Sequence, residues 1–212
     1  MLPRRLEATR IARVKAALFI VCLMPLGLLV WRGFTGGLTA NPIEFITHTT
    51  GWWALSFLMI TLAVTPIRRL LEMPWLLRLR RMLGLYAFFY ASLHFLMWLV
   101  VDQFFDWEAI VKDIAKRPYI SVGFAAFLLL LPLAATSTNA MVRRLGATRW
   151  QLLHRLVYLT ATLGVVHFWW LVKKDIREPA VFAMILIMLL GARLVTRWRK
   201  RALPLVSSAQ RE

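Results

Sequence analysis

The chain has 212 residues, 60% of them hydrophobic and 17% charged. Soluble domains average about 45–50% apolar and about 25% charged. With a mean hydropathy of +0.64, the composition excludes a disordered or collagen-like chain and nearly excludes an ordinary soluble domain. The single cysteine, Cys22, allows no internal disulfide and no thiolate-bound zinc or iron–sulfur cluster.

A membrane-crossing helix needs about 20 mostly apolar residues. In chain order the first such run is 16–31. The second is 45–67, of which 45–51 is polar enough to read as loop. The third is 82–101. The fourth is 118–142, with a polar end at 136–139. The fifth is 151–172, and the sixth is 179–195, where Arg193 is read as snorkelling to the interface. None alternates as barrel strands do. The first run has a basic flank, but its 16 apolar residues exceed the usual core of a signal peptide and no suitable cleavage site follows, so it reads as a true helix. The expectation is an all-α membrane protein with six transmembrane helices. It has an N-terminal segment at 1–15, a six-helix domain at 16–195 and a basic tail at 196–212.

The net charge of +17 would suit nucleic acid in a soluble chain, but its placement gives another reason. Basic residues cluster before the first run (Arg4, Arg5, Arg10, Arg13, Lys15) and between the second and third (Arg68, Arg69, Arg78, Arg80, Arg81). They cluster again between the fourth and fifth (Arg143, Arg144, Arg149, Arg155) and after the sixth (Arg193, Arg197, Arg199, Lys200, Arg201, Arg211). Twenty of the 27 Lys and Arg therefore fall on one side; Arg32, Lys112, Lys116, Arg117, Lys173, Lys174 and Arg177 fall on the other. The positive-inside rule then places both termini in the cytoplasm and leaves no charge for nucleic acid to explain. Trp31, Trp52, Trp53, Trp75, Trp107, Trp150, Trp169, Trp170 and Trp198 sit near run ends, as interfacial tryptophans do.

Four histidines remain: His48, His94, His154 and His167. An ionisable group at membrane depth is a candidate functional residue, and neutral imidazole is the commonest metal ligand. At 1.5 Å per residue, His94 lies about 18 Å into the third run. His154 lies about 5 Å and His167 about 24 Å into the fifth. His94 and His167 reach similar depth if the third helix starts closer to mid-membrane. His154 and His167 are 13 residues apart, which puts them about 140° from alignment in an ideal helix. A bulge, a tilt or two separate roles must account for that. His48 precedes the second helix and reads as an interfacial residue. Gly164, one turn before His167, leaves space for a flat macrocycle or for close helix packing.

Several motifs taken together carry a resemblance. They are Arg78-Leu79-Arg80-Arg81-Met82-Leu83-Gly84-Leu85 leading to Ala91-Ser92-Leu93-His94, then Pro118-Tyr119-Ile120-Ser121-Val122-Gly123 and Thr136-Ser137-Thr138-Asn139-Ala140-Met141. The last is Trp150-Gln151-Leu152-Leu153-His154-Arg155-Leu156-Val157-Tyr158-Leu159. In order and spacing the chain resembles the MsrQ (YedZ) family, within the ferric reductase-like transmembrane superfamily, from about residue 10 to 200. The resemblance implies an inner-membrane subunit with heme b and FMN. It would pass electrons from the quinone pool or a cytosolic flavin reductase to a periplasmic molybdopterin-containing methionine-sulfoxide reductase subunit, MsrP, where catalysis resides. The histidines that match the family are His94, His154 and His167.

Oxidase-type relatives carry a second histidine on the third helix, where this chain has Arg80 and Arg81. The expectation is one firmly held outer heme between His94 and His167. His154, with Arg80, Arg81 and Arg155, is left for a second heme or a flavin, since an arginine fork suits a propionate or phosphate. No glycine-rich phosphate loop or Rossmann fingerprint is present, so the reductant must come from elsewhere. The competing readings are a small transporter, against which the lack of intramembrane carboxylates weighs, and a cofactor-free membrane scaffold.

Overall fold

The computed structural model describes residues 2–172 and 175–209, with side chains for 9–172, 175–196 and 198. Lys173, Lys174, Arg211 and Glu212 lie outside the described residues. Among those described, 87% are helical and none is in a strand. The helices are α1 (Leu2–Phe34), α2 (Pro42–Leu70), α3 (Leu77–Leu96), α4 (Trp107–Lys116), α5 (Pro118–Ala135), α6 (Asn139–Leu145), α7 (Ala147–Leu153), α8 (Leu156–Leu171) and α9 (Arg177–Ala209). A 3₁₀ turn, Pro74–Leu76, leads into α3, and a π-helical segment, Met97–Asp102, extends it.

Five segments are long and apolar enough to cross a membrane: Thr9–Phe34, Pro42–Leu70, Pro74–Asp102, Pro118–Ala135 and Arg177–Thr196. The fifth expected run behaves differently. It is broken at His154 and Arg155 into α7 and α8. The 16 residues of α8 reach about 24 Å at 1.5 Å per residue, short of the roughly 30 Å hydrocarbon layer. The break also removes the phase problem, because His154 caps α7 while His167 belongs to α8.

Two boundaries move from their expected places. Residues 45–51 are helical rather than loop. Asn41 caps α2 by accepting the Glu44 N–H at 3.3 Å, with Pro42 at the first helical position, a strong start signal that outweighs local polarity. His48 is therefore inside α2. α3 begins at Leu77, five residues before Met82, which carries His94 about 8 Å farther along the span.

α2 is the central helix. Leu55, Leu58 and Leu62 are buried in one apolar cluster with Leu83 and Tyr90 of α3, Leu130 of α5, Ala161 of α8 and Leu186 of α9. α1 packs at the periphery and is fixed by two tyrosines of α3. The Tyr86 hydroxyl donates to the Phe19 carbonyl at 2.9 Å. The Tyr90 hydroxyl donates to the Cys22 carbonyl at 2.8 Å and accepts the Leu26 N–H at 3.2 Å.

Arg193 does not snorkel. Pro66 lies inside α2 and has no N–H, so the carbonyl of Leu62, four residues back, loses its helical donor. In a membrane that acceptor finds no water. Arg193 of α9 donates to it through Nη2, donates to the Leu189 carbonyl through Nη1 at 3.0 Å, and lies 5.3 Å from the centre of the Tyr158 ring. Arg193→Leu is expected to cost about 1–3 kcal/mol, read as a lower thermal midpoint in detergent. Pro66→Ala restores the missing N–H and is expected to return most of that loss in the double variant. An equal loss with and without Pro66→Ala would show that Arg193 acts elsewhere.

Candidate functional site

Two helix pairs, α2 with α3 and α5 with α8, face one another across a cavity of about 1000 Å³. Small-molecule sites run from roughly 300 to 1,000 Å³, so this one accommodates a large ligand. Its walls are mostly apolar and aromatic, with Phe95, Phe124, Phe127, Trp53 and Phe168 among them. Phe95 stacks on Phe127 with ring centres 4.5 Å apart.

His94 and His167 enter this cavity from opposite pairs, with ring centres 6.0 Å apart and planes at 78°. Each imidazole is held by its Nδ1. His94 bonds the Thr47 carbonyl at 2.9 Å, and His167 bonds the Tyr119 carbonyl at 2.7 Å. A carbonyl can only accept, so both Nδ1 atoms carry the proton and both Nε2 atoms keep a free lone pair. This is the tautomer and orientation that a metal-binding histidine needs.

The same backbone device makes both contacts. The accepting carbonyl is followed four residues later by a glycine: Thr47 by Gly51 on α2, and Tyr119 by Gly123 on α5. A Cβ on Gly51 would lie 2.9 Å from His94 Nδ1, and one on Gly123 would lie 2.5 Å from His167 Nδ1. The missing side chain opens a notch on each helix, and the imidazole of the neighbouring helix drops into it to reach the carbonyl. Gly164 lines the cavity and also faces Leu55, whose Cδ1 would lie 3.2 Å from an added Cβ. The close-packing reading of that glycine therefore holds.

Two imidazoles with free Nε2 atoms facing one space fit a heme better than a bare ion. The two rings, with centres 6.0 Å apart, stand on opposite walls of that space. Among the described residues no group of three or more His, Cys, Asp or Glu is placed to hold a metal ion. The remaining wall is mostly apolar and aromatic, as a porphyrin requires, with charged residues among the others that line it.

His154 lies apart from this pair. Its ring stacks on Trp150 at 3.9 Å, and its Nε2 is 3.1 Å from Thr136 Oγ1. Thr136 Oγ1 spends its own proton on the Pro132 carbonyl at 2.6 Å, so it accepts here and His154 Nε2 donates. The nitrogen left free is Nδ1, unlike in His94 and His167. Arg80 and Arg81 are close enough to act electrostatically on His154. Arg81 also bonds the Asn139 side chain, and Arg155 is exposed. His48 is exposed and lines the outer cavity.

Sequence reasoning missed Gly51, the role of Gly123 within its motif, and Trp98. Trp98 is one helical turn beyond His94, and a wall residue at that spacing was open to inference. Its Nε1 is buried without a hydrogen-bond partner.

Residues 50–165 match the family described as ferric reductase like transmembrane component. The chain is 55% identical over 201 residues to the protein-methionine-sulfoxide reductase heme-binding subunit MsrQ of Ralstonia nicotianae, covering 94% of this chain and 93% of the relative. It is 56% identical over 191 residues to the protein of the same name from Herminiimonas arsenicoxydans, covering 89% and 88%. It is 48% identical over 198 residues to that of Bordetella parapertussis, covering 92% and 96%. The chain belongs to the MsrQ family of heme-binding subunits, within the ferric reductase-like transmembrane components.

Proposed function

We propose that the chain is a b-type cytochrome subunit carrying electrons across the bacterial inner membrane to a periplasmic molybdopterin-containing methionine-sulfoxide reductase, MsrP, in support of the repair of oxidised proteins. The observation that carries this reading is the His94–His167 pair, two imidazoles 6.0 Å apart across one cavity with both Nδ1 atoms tied to carbonyls. A heme held by two imidazoles supplies one-electron transfer, with no coordination position left for a substrate. His94 and His167 hold it, Thr47 and Tyr119 orient them, and the aromatic wall excludes water.

At the other end of the bundle, Arg80, Arg81 and Arg155 around His154 would suit the phosphate of FMN or the propionates of a second heme. The donor is a quinone or a cytosolic flavin reductase. The His154 contact to Thr136 favours one heme, because it engages Nε2.

In the membrane, α7 and α8 together form the fifth of six spans, and both termini lie in the cytoplasm. The basic residues on that side support this. Reporter fusions at the C-terminus are expected to be active only in the cytoplasm; activity only in the periplasm would overturn the six-span reading. The outer connections at 32–50 and 102–117 have mixed or little charge. Docking there depends on short-range contacts, and reduction of the partner is expected to vary little with salt.

The direct test is an absorption spectrum. Protein purified in detergent from heme-replete cells is expected to be red and to show b-type bands on reduction. Colourless protein would favour a scaffold or transporter.

A further inference from the structure

We propose that Trp98 and Arg117 form a carboxylate-binding site at the outer mouth of the cavity and take the propionate groups of the heme held between His94 and His167. The proposal deepens the heme-binding reading and rests on it.

Trp98 follows His94 by four residues, so it stands one turn farther out on the same helical path. It lines the cavity, and its indole Nε1–H is buried without an acceptor. Buried donors are nearly always paired, and an unpaired one at a cavity wall points to an acceptor that arrives with the ligand. The backbone there is also unusual. Met97–Asp102 is π-helical and closes with the Gln103 N–H on the Trp98 carbonyl at 2.9 Å. Such turns re-aim side chains and concentrate at functional sites.

Arg117 reaches the same mouth from the other helix pair. It caps the start of α5, two residues before Tyr119, whose carbonyl holds His167. Its Nε lies 3.4 Å from Asp113 Oδ1, and Tyr119 interacts with it electrostatically. A guanidinium has five donors, so these contacts leave others free. Asp102, the last residue of the π-helical segment, lines the cavity, and Gln103 beside it donates at 3.0 Å to Asp113 Oδ2, of the carboxylate that pairs with Arg117. That interaction links the turn carrying Trp98 to the start of α5.

Charge selects the ligand chemistry. Glu44, Asp102, Asp175 and Glu178 also line the cavity, and Arg117 is the one Lys or Arg among the described residues that do. A dianionic macrocycle entering this space is repelled from most of the mouth and matched at Arg117. Arginine takes carboxylates through a bidentate fork, and Trp98 adds a single neutral donor.

The test uses the full-length protein in detergent, loaded with either protoheme or its dimethyl ester, in which both propionates are neutral. The readouts are the rate of heme transfer to apomyoglobin and the midpoint potential. With protoheme, Arg117→Gln is expected to speed transfer by about tenfold and Trp98→Phe severalfold, in line with lost charged and neutral hydrogen bonds. Arg117→Lys is expected to fall between Arg117→Gln and the parent. Arg117→Gln is also expected to lower the potential, because a nearby cation favours the reduced form.

With the ester, parent and variants are expected to release heme at one rate. Parent-like release of protoheme by both variants would overturn the proposal, and so would a difference that persists with the ester. A parent protein that takes up neither compound would overturn the heme-binding reading itself, an outcome separate from the other two.

Discussion

His94→Ala and His167→Ala are each expected to reduce the heme recovered with the protein by well over tenfold. Loss of a group that merely orients a ligand typically costs 10–100-fold in affinity, and these substitutions remove the two imidazoles proposed as the ligands themselves. No neighbour can take over. His154 stacks on Trp150 and bonds Thr136, away from the pair. His48 lines the cavity but is exposed in the turn that includes Thr47, so His48→Ala is expected to keep most of the heme. Heme per protein and the reduced-minus-oxidised spectrum measure all three variants. Free imidazole added to His167→Ala is expected to restore part of the b-type spectrum, because the substitution leaves a ring-sized space beside Tyr119. If His48→Ala lost as much heme as His94→Ala, the assignment of the axial pair would be wrong.

The membrane character of the chain was legible because it rests on long runs and on charge placement, both of which are additive properties of sequence. That His94 and His167 would come to similar depth was legible from their positions in the runs, and the structure sets their rings 6.0 Å apart. What could not be read depends on contacts between distant segments. The 13-residue spacing from His154 to His167 suggested a phase conflict only under the assumption of one continuous helix. The break after Leu153 is stabilised by Trp150 and His154 reaching Thr136 at the end of α5, a contact between segments that the sequence separates.

Polarity misplaced the start of α2, where the Asn41 cap and Pro42 decide. Arg193 was taken for a side chain escaping to the interface, because nothing in its own segment reveals that Pro66 has left the Leu62 carbonyl without a donor. The glycine notches are of the same kind. Gly51 reads as the end of a loop until the imidazole beside it is in view.

Those notches set the strictest demand on sequence in the site, and they predict a graded series. Gly123→Ala puts a methyl 2.5 Å from His167 Nδ1 and 2.8 Å from Cε1, closer than atoms can approach. The obstacle is a ring fixed by its bond to the Tyr119 carbonyl, so the ring cannot swing aside and keep that bond. Either the helices separate or Nδ1 lets go, and in both cases Nε2 leaves its position facing His94. Gly51→Ala brings its methyl to 2.9 Å from His94 Nδ1 and 3.0 Å from Cε1, a smaller overlap that a slight shift of α3 relieves. Gly164→Ala meets only the end of Leu55 at 3.2 Å, and Gly27→Ala meets nothing within 4 Å. Heme content is therefore expected to fall in the order Gly27→Ala, Gly164→Ala, Gly51→Ala, Gly123→Ala, with the first near the parent. The last is expected to lose heme about as completely as His167→Ala. Alanine is a better helix former than glycine by about 1 kcal/mol, so a general loss of helix stability would not produce this order. Full heme in Gly123→Ala would mean that His167 sits away from α5 in the loaded protein and that the Tyr119 carbonyl does not hold it.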